Sequence, residues 1–379
     1  MNQATVEFRN VSKHYGAGQG AVMDLSLLVP AGDICVLVGP SGCGKTTSLK
    51  MVNRLVEPSS GEVLIDGEDV MSVDVTTLRR RIGYVIQQIG LFPHQTVADN
   101  IGTVPRLLGW PKPRIQRRVE ELIDLIGLDP AVVRNRYPSQ LSGGERQRIG
   151  VARAMAAEPP VMLMDEPFGA VDPIVRERLQ NEFLRLHRNL GTTVLFVTHD
   201  IDEAIKMGSR VAVMQQGGHL AQYAPPTELL LRPASDFVAR FVGTDRGLKR
   251  LTLLTVADVS IEAGTFARVG QPARTAWAHA LDAGTEWVLL LGGDERPQGW
   301  IKAKQLTSDD PLTADNVDAS SPLVTFETTL RDALSMLLAS AVQTAVVVDE
   351  RGRYQGVLTL DGLGSAFRSE PRPEAATVA

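Results

Sequence analysis

The chain has 379 residues, 44% of them hydrophobic and 22% charged, and a formal net charge of −5. This composition is typical of a soluble globular protein, at a length that suits two domains. Acidic and basic residues are interspersed, which argues against nucleic acid as the main partner because a phosphate backbone selects a basic surface. The chain has two cysteines, no apolar signal segment at its N-terminus and no apolar stretch of about 18 residues, so we expect a cytosolic protein with reduced thiols.

Residues 6–242 alternate short apolar runs with helical segments. The apolar runs that end in polar residues are ICVLVGP (34–40), VMLMDEP (161–167) and TVLFVTHD (193–200). Such runs predict strands buried on both faces of a parallel sheet, and open α/β sheets bind ligands at the carboxyl ends of these strands. VEFRNVSKHY, DLSLLVPAG and GEVLIDGEDV predict an antiparallel flank, and residues 96–137 predict a mostly helical insert that prolines interrupt early.

The segment GPSGCGKTT, residues 39–47, fits the pattern G-x-x-x-x-G-K-[ST]. It follows a predicted strand and precedes a predicted helix over residues 46–55, which is the context that a phosphate-binding loop requires. Its glycines let backbone N–H groups surround the phosphates, and the helix N-terminus adds a favourable dipole. We expect Lys45 to bridge phosphate oxygens and the Thr46 hydroxyl to hold Mg²⁺.

Two acids and a histidine end the later apolar runs. Asp165 is suited to orienting Mg²⁺, and Glu166 can polarise an attacking water. Alone, the two acids could be a solvated turn or a helix cap, and His199 could be structural. The phosphate-binding loop needs a metal partner, which favours the functional interpretation.

The segment LSGGERQ, residues 141–147, holds no obvious nucleophile and no metal-ligand pair. Locally, Ser142 and the two glycines predict the N-terminus of a helix that starts near Glu145. The Ser142 hydroxyl and the N–H groups of Gly143 and Gly144 also suit an anion at the positive end of that helix.

The alternation of short apolar runs and helical segments ends around residues 240–251, and an internal repeat follows. WVLLLGGDERPQGWIKAKQL (287–306) aligns with TAVVVDERGRYQGVLTLDGL (344–363) at a constant offset of 57 residues. Each copy reads as strand, turn and strand after a helical stretch, over residues 273–283 and 329–341. Coincidence between two hairpins is the alternative. We predict a tandem of small α/β modules, with a disordered tail over residues 368–379.

Six motifs occur in a fixed order: GPSGCGKTT, Gln87, LSGGERQ, MLMDEP, GAVD and VTHD. Over about its first 240 residues the chain resembles the nucleotide-binding subunits of ATP-binding-cassette (ABC) transporters. The resemblance implies an α/β P-loop NTPase core with an antiparallel flank and a helical subdomain, and ATP and Mg²⁺ as ligands. The implied nucleotide contacts are Tyr15, Gly39, Pro40, Ser41, Gly42, Cys43, Gly44, Lys45, Thr46, Thr47, Ser142, Gly143, Gly144 and Asp172. The implied metal ligands are Thr46, Gln87 and Asp165, and the implied catalytic residues are Glu166, His199, Lys45 and Gln87.

The resemblance also supplies individual roles. It implies that Tyr15 stacks on adenine, that Gln87 senses Mg²⁺ and water while linking to the membrane partner, and that His199 contacts the γ-phosphate. Asp172 is implied at an interface between two copies, although GAVD departs from the family's usual SALD. In this family two copies dimerise head to tail, and LSGGERQ of one copy caps the ATP bound by the other.

Residues 86–110 and 164–182 are similar to those of bacterial importers of quaternary-ammonium osmoprotectants: glycine betaine, choline, carnitine or proline betaine. The resemblance implies separate transmembrane permease subunits, an extracytoplasmic substrate-binding protein acting through them, and a position at the cytoplasmic face of the membrane. Three alternatives remain. One is an importer of another solute, such as an amino acid or a polyamine. The others are a non-transport ABC ATPase acting on DNA or ribosomes, and a regulatory binding protein that holds ATP but scarcely hydrolyses it.

The expected domains are an ABC ATPase over residues 1–242, with its helical subdomain at about 96–150, a linker over 243–255 and a regulatory module over 256–367. The repeat in this module resembles a tandem cystathionine-β-synthase (CBS) pair. Nucleotide-binding members usually have Thr or Ser with Asp three residues later. Here Asp361 follows Thr359 by two residues, one position early, so we expect no tight nucleotide binding. Sensing of ionic strength, binding of a dinucleotide and bracing of a dimer remain open as roles of this module.

Overall fold

A computed structural model describes residues 3–16, 20–86, 90–169 and 171–368, without the side chains of 189–190 and 365–368. The chain divides into a first unit, Met1–Thr244, and a second unit, Asp245–Ala379. Each unit is built around hydrophobic clusters of its own residues.

Two sheets form the frame of the first unit. Its strands are β1 (Val6–Lys13), β2 (Val22–Val29), β3 (Ile34–Val38), β4 (Ser60–Ile65), β5 (Glu68–Asp69), β6 (Ile82–Val85), β7 (Val161–Asp165), β8 (Thr193–Thr198), β9 (Arg210–Gln215) and β10 (His219–Ala224). One sheet has the order β10-β9-β3-β8-β7-β6, parallel except for β10. The other, β2-β1-β4-β5, is antiparallel. The predicted parallel core and antiparallel flank are confirmed.

The burial of the strands explains their sequences. Every residue of β3, β7 and β8 is buried, which accounts for their unbroken apolar runs. β2 instead alternates, with Leu25, Leu27 and Val29 buried between exposed positions. The buried residues of the antiparallel sheet pack in one cluster with those of β3, β7 and β8, so the core lies between the two sheets.

Helices cover the parallel sheet and make up most of the predicted insert. The helices of the first unit are α1 (Lys45–Val52), α2 (Val75–Arg80), α3 (Val97–Ile101), α4 (Thr103–Leu107), α5 (Lys112–Leu125), α6 (Pro130–Val133), α7 (Gly143–Met155), α8 (Pro173–Leu190), α9 (Ile201–Met207), α10 (Pro226–Leu231) and α11 (Asp236–Val242). α1 begins one residue before the predicted start and ends three residues before the predicted end. Across the described ranges, no helix is both long and apolar enough to cross a membrane.

The second unit contains two copies of one arrangement of strands and helices. Its elements are α12 (Arg246–Arg250), β11 (Phe266–Arg268), α13 (Ala273–Ala283), β12 (Trp287–Leu291), β13 (Pro297–Lys302), β14 (Leu323–Val324), α14 (Leu330–Ala339), β15 (Thr344–Val348), β16 (Tyr354–Thr359) and α15 (Leu360–Arg368). The sheets β11-β12-β13 and β14-β15-β16 have the same pairing, parallel and then antiparallel. The offset of 57 residues carries β12 onto β15 and β13 onto β16.

The two repeats pack through equivalent positions. Leu289, Leu291 and Trp300 of the first sheet share a buried cluster with the second sheet, whose members at the same offset are Val346, Val348 and Val357. The segment predicted as a linker, 243–255, contains α12, and Leu251 is buried in a cluster of the second unit. Of the predicted tail, residues 368–379, all but residue 368 lie outside the described residues.

Candidate functional site

Polar residues converge where neighbouring parallel strands end. β3 pairs with β8, and β8 pairs with β7. Gly39 follows β3, Asp165 ends β7 and His199 follows β8. These residues therefore share the carboxyl edge of the sheet, which is the edge where open α/β folds bind ligands.

The loop between β3 and α1 needs glycine at two positions. Gly39 has a φ of 155°, and a Cβ there would lie 2.2 Å from the carbonyl oxygen of Met214. Gly44 has a φ of 94°, and its Cβ would lie 2.2 Å from the carbonyl oxygen of Ala21. A larger residue would displace backbone at either place, so the two glycines hold the loop tightly against its neighbours.

Lys45 reaches back into this loop. Its side chain is buried, and Nζ donates to the carbonyl oxygens of Gly39 at 2.7 Å and Pro40 at 3.0 Å. Nζ also lies 3.7 Å from Sγ of Cys43, which like Cys35 is a buried free thiol. The Lys45 ammonium is thus held inside the loop between β3 and α1. A positive charge at this place suits the binding of phosphate oxygens.

Thr46 and Asp165 place two hard oxygen donors side by side. Thr46 Oγ1 donates to Asp165 Oδ1 at 2.9 Å, and Asp165 is 5% exposed. Burial raises the pKa of the Asp165 carboxyl, while the hydrogen bond from Thr46 opposes the shift. A hydroxyl and a carboxylate at this spacing fit Mg²⁺, which prefers oxygen ligands.

Glu166 and His199 form a direct pair. Glu166 Oε1 lies 3.1 Å from His199 Nδ1, and the Glu166 backbone N–H donates to Val197 O at 2.9 Å. Glu166 has a φ of 46°, a left-handed conformation that is uncommon for a residue other than glycine, and its carboxylate contacts the histidine that follows the neighbouring strand. The sequence predicted both residues at the site but not their contact.

Within the segment LSGGERQ, Ser142 and Gly143 are exposed at the N-terminus of α7. Ser142 Oγ accepts from the Glu145 N–H at 3.3 Å, and the Glu145 carboxylate accepts from the Ser142 N–H at 2.8 Å. This reciprocal pair starts the helix at Gly143, two residues before the predicted start, and it lowers the pKa of Glu145. A Cβ on Gly143 would meet no described atom within 4 Å, so this surface is open.

Three further site residues were predicted from the sequence: Tyr15, Asp172 and Gln87. Tyr15 follows β1, is 55% exposed, and has Lys13 Nζ 5.3 Å from its ring centroid. Asp172 caps α8 by accepting from the Val175 N–H at 3.1 Å. Gln87 lies outside the described residues. The roles of these three residues stay predictions.

Sequence reasoning assigned no role to Gln147. It is 3% exposed, and its side-chain amide donates to the carbonyl oxygen of Pro167, two residues after Asp165. Gln147 thereby ties the helix of LSGGERQ to the strand end that carries the acids. The sequence signal that could have identified Gln147 is a polar residue on the buried face of α7. Gly150 and Ala154 lie on the same face.

The comparisons with known proteins agree with this geometry. The model of the ABC transporter family matches residues 22–169. The osmoprotectant import ATP-binding protein OsmV of Salmonella typhimurium is 48% identical over 369 residues, covering 96% of each chain. The chain belongs to the ABC transporter ATPases. The resemblance inferred from the six motifs is confirmed, and as a transporter ATPase the chain binds and hydrolyses ATP.

Two further proteins are similar to this ABC ATPase. The glycine betaine uptake system ATP-binding protein YehX of Escherichia coli is 53% identical, covering 94% of this chain and 98% of YehX. The bacterial ABC transporter cassette MJ0796, solved as a dimer, is 32% identical with a TM-score of 0.53, covering 58% of this chain and 98% of the cassette. A second structure of MJ0796 is a post-hydrolysis dimer bound to ADP and Pi.

Proposed function

We propose that this ABC ATPase powers the import of a quaternary-ammonium osmoprotectant: glycine betaine, choline, carnitine or proline betaine. The observation that carries the proposal is similarity over nearly the whole chain to OsmV and YehX, whose names specify osmoprotectant import and glycine betaine uptake. The ATPase acts at the cytoplasmic face of the membrane on separate permease subunits. A substrate-binding protein outside the cell delivers the solute to those subunits.

The phosphate loop and its neighbours hold the nucleotide. Backbone N–H groups of residues 39–47 and the Lys45 ammonium bind the β- and γ-phosphates, and Tyr15 stacks on adenine. Thr46 and Asp165 fit Mg²⁺, with Gln87 as the third predicted ligand. When bound, the ion neutralises charge on the phosphates.

Glu166 and His199 carry the hydrolytic step. The Glu166 carboxylate orients the attacking water and polarises its O–H bond, while Lys45 and His199 stabilise charge on the transferred phosphoryl group. A neutral imidazole has one N–H. His199 therefore donates either to Glu166 or to the γ-phosphate, and donates to both only as the imidazolium.

A second copy completes each site. Ser142, Gly143 and Gly144 lie at an open helix N-terminus, and their surface is available to the ATP bound by another chain. Asp172 lies at the start of α8 and contributes to the same interface between copies. Closing this dimer is thereby coupled to chemistry, and the permease subunits docked near Gln87 and the helical insert move with it.

The second unit is a tandem CBS-like regulatory module. Its support is the pair of three-stranded sheets with one pairing order and a common offset of 57 residues. The ATPase occupies residues 1–242 and the module residues 256–367, with α12 in the segment that joins them.

Uptake into vesicles tests the proposed function. The ATPase, reconstituted with its permease and binding protein, should accumulate labelled glycine betaine only with ATP, and unlabelled choline or carnitine should compete. The control is Glu166→Gln, which keeps the phosphate loop but loses the carboxylate that polarises water, so both hydrolysis and uptake should be lost. Competition by a polyamine or an amino acid, and none by quaternary amines, would contradict the assignment of the solute.

A further inference from the structure

His199 is placed by its backbone rather than by packing. Its side chain is 63% exposed, so neighbouring atoms restrain the imidazole ring little, and its Nδ1 lies 3.1 Å from Glu166 Oε1. His199 directly follows β8, and a change in the turn that begins there would move the ring away from Glu166. A displacement of about 1 Å in a catalytic geometry can lower the rate about a hundredfold. The residues that hold this turn are therefore candidates for a role in hydrolysis.

The Thr198 hydroxyl closes the turn around His199. Thr198 ends β8 and is 2% exposed, and its Oγ1 accepts from the Asp200 backbone N–H at 3.1 Å. A threonine that bonds to the backbone two residues later restricts the conformation of the residue between them, which here is His199. Asp200 also caps α9, because its carboxylate accepts from the N–H groups of Asp202 and Glu203 at 2.8 and 3.3 Å. Both residues that flank His199 are thus held by hydrogen bonds.

A buried carboxylate orients the Thr198 hydroxyl. Glu203 lies in the first turn of α9, and its carboxylate accepts from the Thr198 hydroxyl and from Gln180 Nε2, the latter at 3.0 Å. Glu203 and Gln180 are both buried. Because Glu203 takes the proton of the Thr198 hydroxyl, the lone pairs of that oxygen are left for the Asp200 N–H. The three side chains form one buried series of hydrogen bonds that ends at the residue before His199.

Stability alone explains these polar side chains less well. Burying a carboxylate costs free energy, and replacing a buried hydrogen-bonded pair by apolar groups of the same shape is often neutral or stabilising. Apolar residues would therefore pack β8, α8 and α9 together equally well. An apolar residue at position 198 cannot supply an acceptor for the Asp200 N–H, and so cannot fix the turn at His199.

We propose that Thr198 is a positioning residue for ATP hydrolysis: its hydroxyl, oriented by Glu203, fixes the turn that places His199 against Glu166 and the γ-phosphate. The inference rests on the proposed function, in which His199 stabilises charge on the transferred phosphoryl group. Thr198 itself does not touch the nucleotide, so its loss acts on hydrolysis through His199.

Steady-state ATPase kinetics of the full chain test the inference. Thr198→Val keeps the size and branching of the side chain but removes the hydroxyl. We expect it to lower kcat about tenfold and to change the KM for ATP by less than about twofold, because the phosphate loop still binds the nucleotide. Thr198→Ser restores the hydroxyl and should recover most of kcat. A kcat in Thr198→Ser as low as in Thr198→Val would contradict a role of the hydroxyl.

Thr193→Val is the matched control, because Thr193 lies at the other end of β8 and its buried hydroxyl makes the same number of hydrogen bonds. Its Oγ1 accepts from the Gly32 N–H at 2.8 Å and donates to Ala4 O at 2.6 Å. The control should lower the thermal unfolding midpoint by a comparable amount and keep its kcat. A kcat that falls as far in Thr193→Val as in Thr198→Val would assign the loss to stability and overturn the inference.

Combination with His199→Ala separates the inference from the proposed function. If Thr198 acts through His199, the double variant Thr198→Val, His199→Ala should have the kcat of His199→Ala alone. A further tenfold loss in the double variant would overturn the inference. A normal kcat in Thr198→Val beside a reduced kcat in His199→Ala refutes the positioning role alone, whereas a normal kcat in His199→Ala refutes the proposed role of His199 itself.

Discussion

At the residue scale, Glu203 shows how a buried carboxyl holds two elements of the ATPase together. Glu203 lies on α9, is 9% exposed, and its Oε1 accepts from Gln180 Nε2 of α8 at 3.0 Å. Burial raises its pKa, and hydrogen bonds from Thr198 and Gln180 oppose that shift. For an acid with a raised folded-state pKa, stability is highest below the unfolded pKa, about 4.3 for glutamate, and is lost as pH rises through the folded pKa.

Replacing Glu203→Gln should remove this pH dependence. The amide can still accept from Gln180 but never ionises, so the free energy of unfolding of the variant, relative to the unmodified chain, should rise between acidic and neutral pH. Urea unfolding across a pH series measures it, with Glu62→Gln as the control because Glu62 is exposed on β4. A difference between Glu203→Gln and the unmodified chain that does not change with pH would contradict this explanation.

The residues of the site differ in how far the sequence predicts them. Lys45, Thr46 and Asp165 were found because a phosphate loop and an acidic strand end are local patterns, and the structure brings Thr46 and Asp165 together. Gln147 and Glu203 were missed, because each acts through a contact with another element that no local pattern records.

At the element scale, the start of α7 serves two purposes. Ser142 and Glu145 cap the helix reciprocally, a local role, while the same N-terminus forms the open surface proposed to meet ATP of a second copy. Asp172 caps α8 through one hydrogen bond, which its carboxylate accepts from the Val175 N–H. A helix cap and an anion site both exploit unpaired N–H groups, so one short segment supports both roles.

Substitutions at Ser142 should separate these roles. Ser142→Ala loses the cap and should lower the free energy of unfolding by about 1 kcal/mol. Ser142→Asp keeps a capping oxygen and should preserve stability, but its negative charge would face phosphates in the proposed dimer, so hydrolysis should be abolished. Urea unfolding and steady-state ATPase assays measure the two effects. Normal hydrolysis by Ser142→Asp would contradict the proposed placement of LSGGERQ against ATP.

Elements were predicted more reliably than their ends or their partners. Unbroken apolar runs predicted β3, β7 and β8, but the order that puts β8 between β3 and β7 joins segments far apart in sequence, and a local pattern carries no such information. The helix at 246–250 was missed because a change of character was interpreted as a linker.

At the scale of the whole molecule, one chain contains both segments that are proposed to enclose ATP, and in the proposed dimer the two segments of one chain belong to different sites. Lys45, Glu166 and His199 lie at the carboxyl edge of the parallel sheet. Within the described residues, the hydrogen bonds of the Ser142 side chain and backbone N–H are to Glu145, with none to the phosphate loop. Head-to-tail pairing of two copies would join the loop of one chain to LSGGERQ of the other.

Mixing two inactive variants tests this central claim most directly. Lys45→Ala disables the loop and Ser142→Asp disables LSGGERQ, so a mixed dimer retains one site built from the intact loop of one chain and the intact LSGGERQ of the other. The control mixture is Lys45→Ala with Glu166→Gln, which leaves no intact site because both changes lie on the loop side. We predict that ATP hydrolysis returns in part in the first mixture and not in the control; a first mixture as inactive as the control would contradict the head-to-tail site.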